Sequence, residues 1–149
     1  MTIQTRPRKN RQAGSMILEL ALSVFLLLTV LTGIIEFGRM FYFAAEVANA
    51  ARAGVQWAAI NPGHPNNFTS IRAAATSDAV DMTTLTPVAS EFCECNDGTS
   101  VNCATGTCAT GTVRTYVKVT TTAPFNTIGT YPWIPRPINV SAEAVLRVD

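Results

Sequence analysis

The sequence predicts an α+β protein: a long N-terminal helix that crosses a membrane and continues into a small head, which holds a short helix and about three antiparallel strands. One observation is an apolar run without charge from Leu20 to Ile35, followed by a stretch without proline as far as Ile60. The other is a change to strict apolar and polar alternation after Leu85. A chain of 149 residues allows one modest domain beside such an anchor.

The membrane-spanning candidate runs from Met16 to Ile35. At about 1.5 Å per residue it extends for about 30 Å, the thickness of a bilayer's hydrocarbon core. It is too long for an ordinary secretory signal and lacks a small-residue cleavage site at its end. Glu19 lies inside its beginning, where a carboxylate costs roughly 2.5–3.5 kcal/mol on insertion scales. We therefore interpret Glu19 as functional; the alternative is a polar residue tolerated at the membrane edge.

Charge is divided unevenly along the chain, although the formal net charge is only +1. After the first eighteen residues, the chain has seven basic and ten acidic side chains. Beside a membrane segment, a basic leader over residues 1–14 predicts a cytoplasmic N-terminus and export of everything after residue 36. A nucleic-acid-binding tail is the weaker interpretation of the same leader. The first eighteen residues carry no acid and four bases: Arg6, Arg8, Lys9 and Arg11.

The helix is predicted to span the membrane over residues 15–36 and to continue as an exported extension over residues 37–60. Asn61-Pro62-Gly63 is a strong stop signal. We expect Phe41, Tyr42 and Phe43 where the helix leaves the bilayer, as in an aromatic belt. A narrow apolar face is expected to cover the sheet, with a polar stripe opposite it. The apolar positions are Phe41, Ala44, Ala45, Ala48, Ala51, Val55 and Ala58; the polar ones are Glu46, Asn49, Arg52 and Gln56.

The predicted head comprises residues 61–149. A short helix is expected from Phe68 to Val80, capped by Asn67, with Phe68, Ile71, Ala75 and Ala79 buried. Alternation predicts strands over 85–95, 112–122 and 138–148, with Ile138, Val140, Ala142, Ala144, Leu146 and Val148 facing inward in the last. In the proline-rich connection 124–137, we interpret Phe125 and Trp133 as a small core plug; an exposed patch for another subunit is the alternative.

The four cysteines lie in a polar part of the head and are even in number, which favours disulfides in an exported domain. Cys93 and Cys95 would share one face of a strand, so we expect each to pair with Cys103 or Cys108. The sequence leaves nested (93–108, 95–103) and crossed connectivities open. A four-thiolate zinc site is the alternative, but the spacing departs from paired C-x₂-C knuckles.

No catalytic constellation emerges from the sequence. His64 is the single histidine and lies in a loop rich in Pro, Gly and Asn, so it cannot complete a nucleophile–His arrangement. There is no phosphate-binding glycine loop and no defensible carboxylate pair. We therefore predict no enzyme activity, no cofactor, no metal, no small-molecule substrate and no nucleic-acid partner.

Two pairs of residues near the predicted membrane exit are candidates for contact with other proteins. Glu36 and Arg39 lie three residues apart, so they form either an ion pair on one helical turn or a polar contact with another subunit or an assembly platform. Gly33 and Gly38 thin the helix on either side of Glu36, which permits close helix approach in the membrane.

The basic leader, Gly14 and the glutamate five residues later resemble the class III signal of type IV prepilins. The resemblance implies cleavage after Gly14 by a prepilin peptidase, an aspartyl enzyme acting at the cytoplasmic side, which would leave Ser15 as the new N-terminus. Glycine lets an extended backbone approach the protease closely. The resemblance further implies that Glu19 meets the N-terminal ammonium of a neighbouring subunit, and two desolvated opposite charges would offset each other's burial cost.

The next stretch, from Gly33-Ile-Ile-Glu36-Phe37-Gly38-Arg39 to Asn49-Ala-Ala-Arg52-Ala-Gly54, is similar to the TadE-like proteins of the tight-adherence (Flp) pilus apparatus. The final strand after a proline-rich connection fits the same family. The resemblance implies a minor pseudopilin: a structural component, single-pass in the bacterial inner membrane with a periplasmic or extracellular head, whose partners are other pilins or pseudopilins and the assembly platform. The alternative is an unprocessed, membrane-anchored module whose disulfide-stapled head binds a ligand or envelope component.

Overall fold

The protein, described here by a computed structural model, is defined over residues 11–61 and 66–148, with side chains from Gly14 onward. Residues 1–10, which hold most of the basic leader, and His64 lie outside the described residues. The elements are α1 (Arg11–Ile60), α2 (Phe68–Asp78), β1 (Thr86–Glu94), β2 (Ser100–Val101), β3 (Arg114–Phe125) and β4 (Ile138–Arg147). This order confirms the predicted α+β class with a long N-terminal helix. One compact unit ends at Gly38 and a second begins at Arg39. From here on, the head means this second unit, which includes the last part of α1 as well as the predicted head.

Element boundaries differ from the predictions at several points. α1 begins at Arg11, upstream of the predicted start at Met16. α2 ends at Asp78, before the predicted Val80, and Asn67 caps it as expected, since its side-chain oxygen accepts a 3.2 Å hydrogen bond from the Ser70 amide. The predicted strand 112–122 is β3, which extends through Pro124 to Phe125. The connection rich in proline is therefore shorter than predicted.

The sheet is antiparallel with the order β2-β1-β3-β4, one strand more than predicted. β3 is central: it pairs with β1 from Thr86↔Thr122 to Glu94↔Arg114 and with β4 as far as Phe125↔Ile138. β2 is only two residues long and pairs with the end of β1 alone. Such a strand is too short to show alternation, so periodicity could not reveal it.

β3 buries every second side chain, as a strand with one covered face should. The predicted inward face of β4 agrees with the register, which pairs Leu146 with buried Val117, but Leu146 remains 37% exposed. β4 is the edge strand, so one flank of its inward side chains has no neighbouring strand to cover it. The buried residues of β3 are Val117, Val119, Thr121, Ala123 and Phe125.

The head part of α1 covers this face of the sheet, but along a different line from the predicted one. Ala51, Val55 and Ala58 are buried as expected, whereas Phe41 is 73% exposed and Ala45 is also exposed. The buried residues of α1 form a seam against the sheet, and they recur at steps of three and four residues, which is the pattern of one helix face. Its members are Val47, Ala50, Ala51, Gly54, Val55 and Ala58.

Small residues on this seam let α1 approach β3 closely. A Cβ added to Gly54 would lie 3.2 Å from both methyl carbons of Val119. Further along the same contact, the hydroxyl of buried Thr121 donates a 2.7 Å hydrogen bond to the Val47 carbonyl. Because residue numbers rise on β3 as they fall on α1, the strand runs antiparallel to the helix.

Two buried clusters fill the space between α1, α2 and the sheet. The predicted burial of Ile71, Ala75 and Ala79 is confirmed, whereas Phe68 is only half-buried. One cluster contains Val55, Ala58, Ile71, Ala75, Val117, Val119 and Val148. The other contains Val47, Ala50, Ala79, Met82, Leu85 and Ala123.

Candidate functional site

The apolar part of α1 in the first unit shows large apolar side chains on every side of the helix. The most apolar window is entirely unburied, so these side chains cannot be core residues. A helix that is apolar all round belongs either in a protein core or in a membrane. Within the described residues, this one helix is long and apolar enough to cross a membrane. Exposed examples are Met16, Ile17, Leu20, Phe25, Leu27, Val30, Ile34 and Phe37.

Two hydroxyl groups within this segment are satisfied by the helix itself. Thr29 donates a 2.9 Å hydrogen bond to the Phe25 carbonyl, and Thr32 donates a 2.8 Å hydrogen bond to the Leu28 carbonyl. Such bonds remove the need for water partners, which the hydrocarbon region does not supply. These threonines are therefore compatible with a membrane-spanning segment.

Gly14, Ser15 and Glu19 all lie on α1 and are exposed. Within the described residues, the Glu19 carboxylate makes no hydrogen bond or ion pair. The Gly14–Ser15 bond is helical in this structure, so a protease that needs an extended substrate must first open the beginning of α1. Helix ends fray readily because their terminal backbone groups lack helical partners. Cleavage at this bond stays a prediction.

The glycines of α1 fall into two groups. A Cβ added to Gly33 or Gly38 would meet nothing within 4 Å, in contrast to Gly54. The packing of the chain itself therefore explains glycine at position 54 and at neither of the other two. Close approach of a neighbouring helix at Gly33 and Gly38 stays a prediction.

Arg39 makes a contact that the sequence analysis missed. Its guanidinium carbon lies 5.4 Å from the centre of the Phe125 ring, in cation–π geometry. The Phe43 ring lies 5.2 Å from the same ring and is tilted by 59°. Phe43 is therefore half-buried in the head, not free as an aromatic-belt residue. Glu36 is half-buried as well, and its predicted interaction with Arg39 or another protein stays a prediction.

The four cysteines form two disulfides with the crossed connectivity. Cys93 bonds Cys103 and Cys95 bonds Cys108, with Cα–Cα distances of 5.1 and 5.7 Å. Cys93 and Cys95 are both buried, in agreement with their predicted position on one face of a strand. These bonds staple the segment that carries β2 to the end of β1. The zinc alternative is not supported, because each of the four sulfurs is bonded to the sulfur of another cysteine in one of these two disulfides.

A tight turn follows Cys95 inside the stapled segment. Gly98 has a φ of +82°, which side-chain-bearing residues rarely adopt. The Thr99 amide donates a 3.0 Å hydrogen bond to the Asp97 carboxylate, and this bond lowers the pKa of Asp97 because it favours the charged form. The turn is a structural element of the staple and brings together no catalytic groups.

The core-plug interpretation of the connection after β3 is half right. Phe125 is buried, but Trp133 is 86% exposed and is the most exposed large apolar side chain described. Phe43 and Arg39 pack against the Phe125 ring, whereas Trp133 lies on the surface.

Together these observations define a protein with one membrane-length helix and a small, disulfide-stapled α+β head. A family model described as TadE-like protein matches residues 14–56. This match agrees with the resemblance to TadE-like proteins predicted from the sequence, and it runs from Gly14 almost to the end of α1. No curated protein and no solved structure matches the chain.

Proposed function

We propose that this chain is a minor pseudopilin, a structural component in the assembly of a tight-adherence (Flp-type) pilus. The observation that carries the proposal is the coincidence of the TadE-like match over residues 14–56 with a helix whose apolar surface is exposed all round. Such a surface suits a subunit that passes from a lipid environment into a bundle of like helices. TadE-like pilus components are structural proteins, which agrees with the prediction that the chain is not an enzyme.

The proposed topology places the N-terminus in the cytoplasm and the head in the periplasm or outside the cell. The basic residues of the leader support this orientation under the positive-inside rule. Two disulfides in the head fit an oxidising compartment. A prepilin peptidase would cut after Gly14, so that the mature chain begins at Ser15 in the bacterial inner membrane.

Glu19 would then pair with the new ammonium group on Ser15 of a neighbouring pilin or pseudopilin. A single carboxylate at the centre of a bilayer costs roughly 2.5–3.5 kcal/mol on insertion scales, and an opposite charge at contact offsets much of that cost. Gly33 and Gly38 would leave room for the neighbouring helix, since none of the described residues occupies the space beside them. Glu36 and Arg39 would contribute polar contacts to other subunits or to the assembly platform.

Processing is tested by measuring the intact mass and N-terminal sequence of the protein from cells with and without a prepilin peptidase. We expect a chain that begins at Ser15 only when the peptidase is present. Replacing Gly14 by leucine should block cleavage, whereas Ser15→Ala, its matched control, should not. An uncut working form in peptidase-positive cells would contradict the proposal and leave the anchored binding module as the better interpretation.

The role of Glu19 is tested by its incorporation into sheared fibres. Glu19→Leu should insert into the membrane at least as well as the natural chain, because it removes the buried carboxylate, but it should be lost from the fibre fraction. Glu19→Asp keeps the charge and should retain part of the incorporation. The control is Glu143→Gln on the head, which breaks only a surface ion pair with Lys118. Normal incorporation of the leucine variant would refute the charge-pair role.

A further inference from the structure

We propose that the loop of residues 126–137 inserts its exposed apolar side chains into the headgroup region of the bilayer that α1 crosses. The head would then touch the membrane at a second place besides its covalent tether. This inference requires that α1 spans a membrane, but it does not depend on the pilus role or on processing.

The direction of β3 brings this loop toward the tether. Along the strand, Val119 faces Gly54, Thr121 bonds Val47, and Phe125 packs on Phe43. Each step along β3 thus moves closer to the start of the head at Arg39. The chain leaves Phe125 in this direction and returns at Ile138, which pairs with Phe125 in the sheet.

The distances involved are short. Ile35 ends the apolar run, and Arg39 follows about 6 Å further along a helix axis, which is close to the thickness of one headgroup layer. Arg39 lies over the Phe125 ring, so the base of the loop lies beside the first residue of the head. A loop of this length can reach at most about 20 Å from its base. That reach exceeds the length of the four-residue step from Ile35 to Arg39, so the loop is long enough for the proposed insertion.

The side chains of the loop suit an interface between water and hydrocarbon. Trp133 and Ile128 are exposed by 86% and 62%, and Tyr131 and Ile134 are also exposed. Tryptophan and tyrosine prefer the headgroup level because they join an apolar ring to one polar atom. Water is the least favourable surrounding for such a cluster on a small head.

Several polar groups of the loop are bonded within the loop. The Thr127 hydroxyl donates a 2.8 Å hydrogen bond to the Gly129 carbonyl, and the Ile134 amide donates one of 3.2 Å to the Tyr131 carbonyl. The bonded groups keep their partners when the loop leaves water, which lowers the cost of that transfer. Three prolines have no amide hydrogen to satisfy and lower it further: Pro132, Pro135 and Pro137.

The charge of the loop also favours a lipid surface. Between Lys118 and Glu143 the only charged residue is Arg136. Its guanidinium donates hydrogen bonds to the Thr127 carbonyl and the Thr130 hydroxyl, so it holds the loop in one shape. The loop thus carries no carboxylate that anionic headgroups would repel.

Continuity with the membrane-spanning segment argues for lipid as the occupant and against a second copy of the chain. Phe41 and Tyr42 are both strongly exposed on α1 at the same end of the head. These two aromatic residues and the base of the loop lie at the end of the head where Arg39 begins it, so under the proposal they would share one layer of headgroups. A subunit interface would not require the patch to lie at the tether.

The test uses the full chain in phosphatidylcholine vesicles at fewer than one chain per vesicle, with part of the lipid brominated high in the acyl chain. Bromine quenches tryptophan only at contact. The protein has two tryptophans, Trp57 and Trp133. We expect bromolipid to quench the emission of the natural protein in part and to quench the Trp57→Phe variant, which retains Trp133, more strongly.

The matched control is Trp133→Phe, which retains Trp57. Trp57 is half-buried against the core and lies about 21 Å beyond Phe43 along a helix axis, so bromolipid should not quench it. Because this comparison uses the natural protein and the control alone, it stands even if Trp57→Phe does not fold. Trp133 that is quenched by aqueous acrylamide and not by bromolipid would overturn the proposal. If Trp133 is protected from acrylamide only when many chains share one vesicle, the proposal is also overturned, and the patch is assigned to contact with a second copy of the chain.

Discussion

Replacing Phe125 by leucine tests the contacts that hold the end of β3 against α1. Leucine keeps an apolar side chain in the buried site but removes the tilted ring pair with Phe43 and the cation–π contact with Arg39. Aromatic pairs contribute about 0.5–1.5 kcal/mol beyond buried area, and partly exposed cation–π contacts about 0.5–1 kcal/mol. We therefore expect a loss of about 1–2.5 kcal/mol for leucine and about 3–5 kcal/mol for alanine.

The measurement is the free energy of unfolding of the head, from denaturant titrations of the full chain in mild detergent. Trp57 reports on the core if Trp133 is replaced by phenylalanine in every variant. Val145→Ala, on the exposed side of β4, should remain within about 0.5 kcal/mol of the parent.

A double-mutant cycle separates the two ring contacts of Phe125. Arg39→Gln combined with Phe125→Leu should show a coupling of about 0.5–1 kcal/mol, since only the cation–π contact joins these two side chains. A leucine variant as stable as the parent, or a cycle without coupling, would refute the assignment of Phe125 as the contact that ties the strand to the helix.

Two further predictions concern the head. Thr121→Val keeps the volume of a fully buried side chain but loses the hydrogen bond to the Val47 carbonyl, so it should lower the free energy of unfolding by about 0.5–1.5 kcal/mol. The control Thr121→Ser should retain the bond. Equal stability of the valine variant and the parent would contradict this prediction. Replacing Cys95 and Cys108 together by serine should cost about 3 kcal/mol, because their bond closes a loop with a sequence separation of 13. Peptide mapping without reductant should recover the 95–108 link, and a link from 93 to 108 would refute the crossed connectivity.

Long, regular patterns made much of the fold predictable from the sequence. The alternation around Val117 and Val119 located β3 to within a few residues at each end, and the absence of proline before Asn61 located the end of α1. Periodicity could not fix which line of α1 faces the sheet. Alanines at 44, 45, 48 and 51 occur on neighbouring faces, and only the fit of Gly54 against β3 selects among them.

Other features depend on long-range contacts that one sequence does not encode visibly. The two disulfide connectivities place the same cysteines on the same strand, so the choice between them rests on the path of the chain around β2. The partners of Phe125 are Arg39 and Phe43, which lie more than eighty positions away from it in the sequence.

The two groups of glycines on α1 separate what the helix does for the fold from what it does for association. Glycine at 54 is explained by close packing within the chain, so a larger residue there should act on the stability of the head. Glycine at 33 and 38 lowers helix propensity by about 1 kcal/mol relative to alanine, and among the described residues nothing packs beside either position. Under the proposed function, a partner outside the molecule would account for this cost. The same logic applies to Glu19, whose carboxylate is unfavourable in lipid and unused by the described residues. Both features occur in the half of the helix that precedes the head, so under the proposed function that half is where contacts with neighbouring subunits would form.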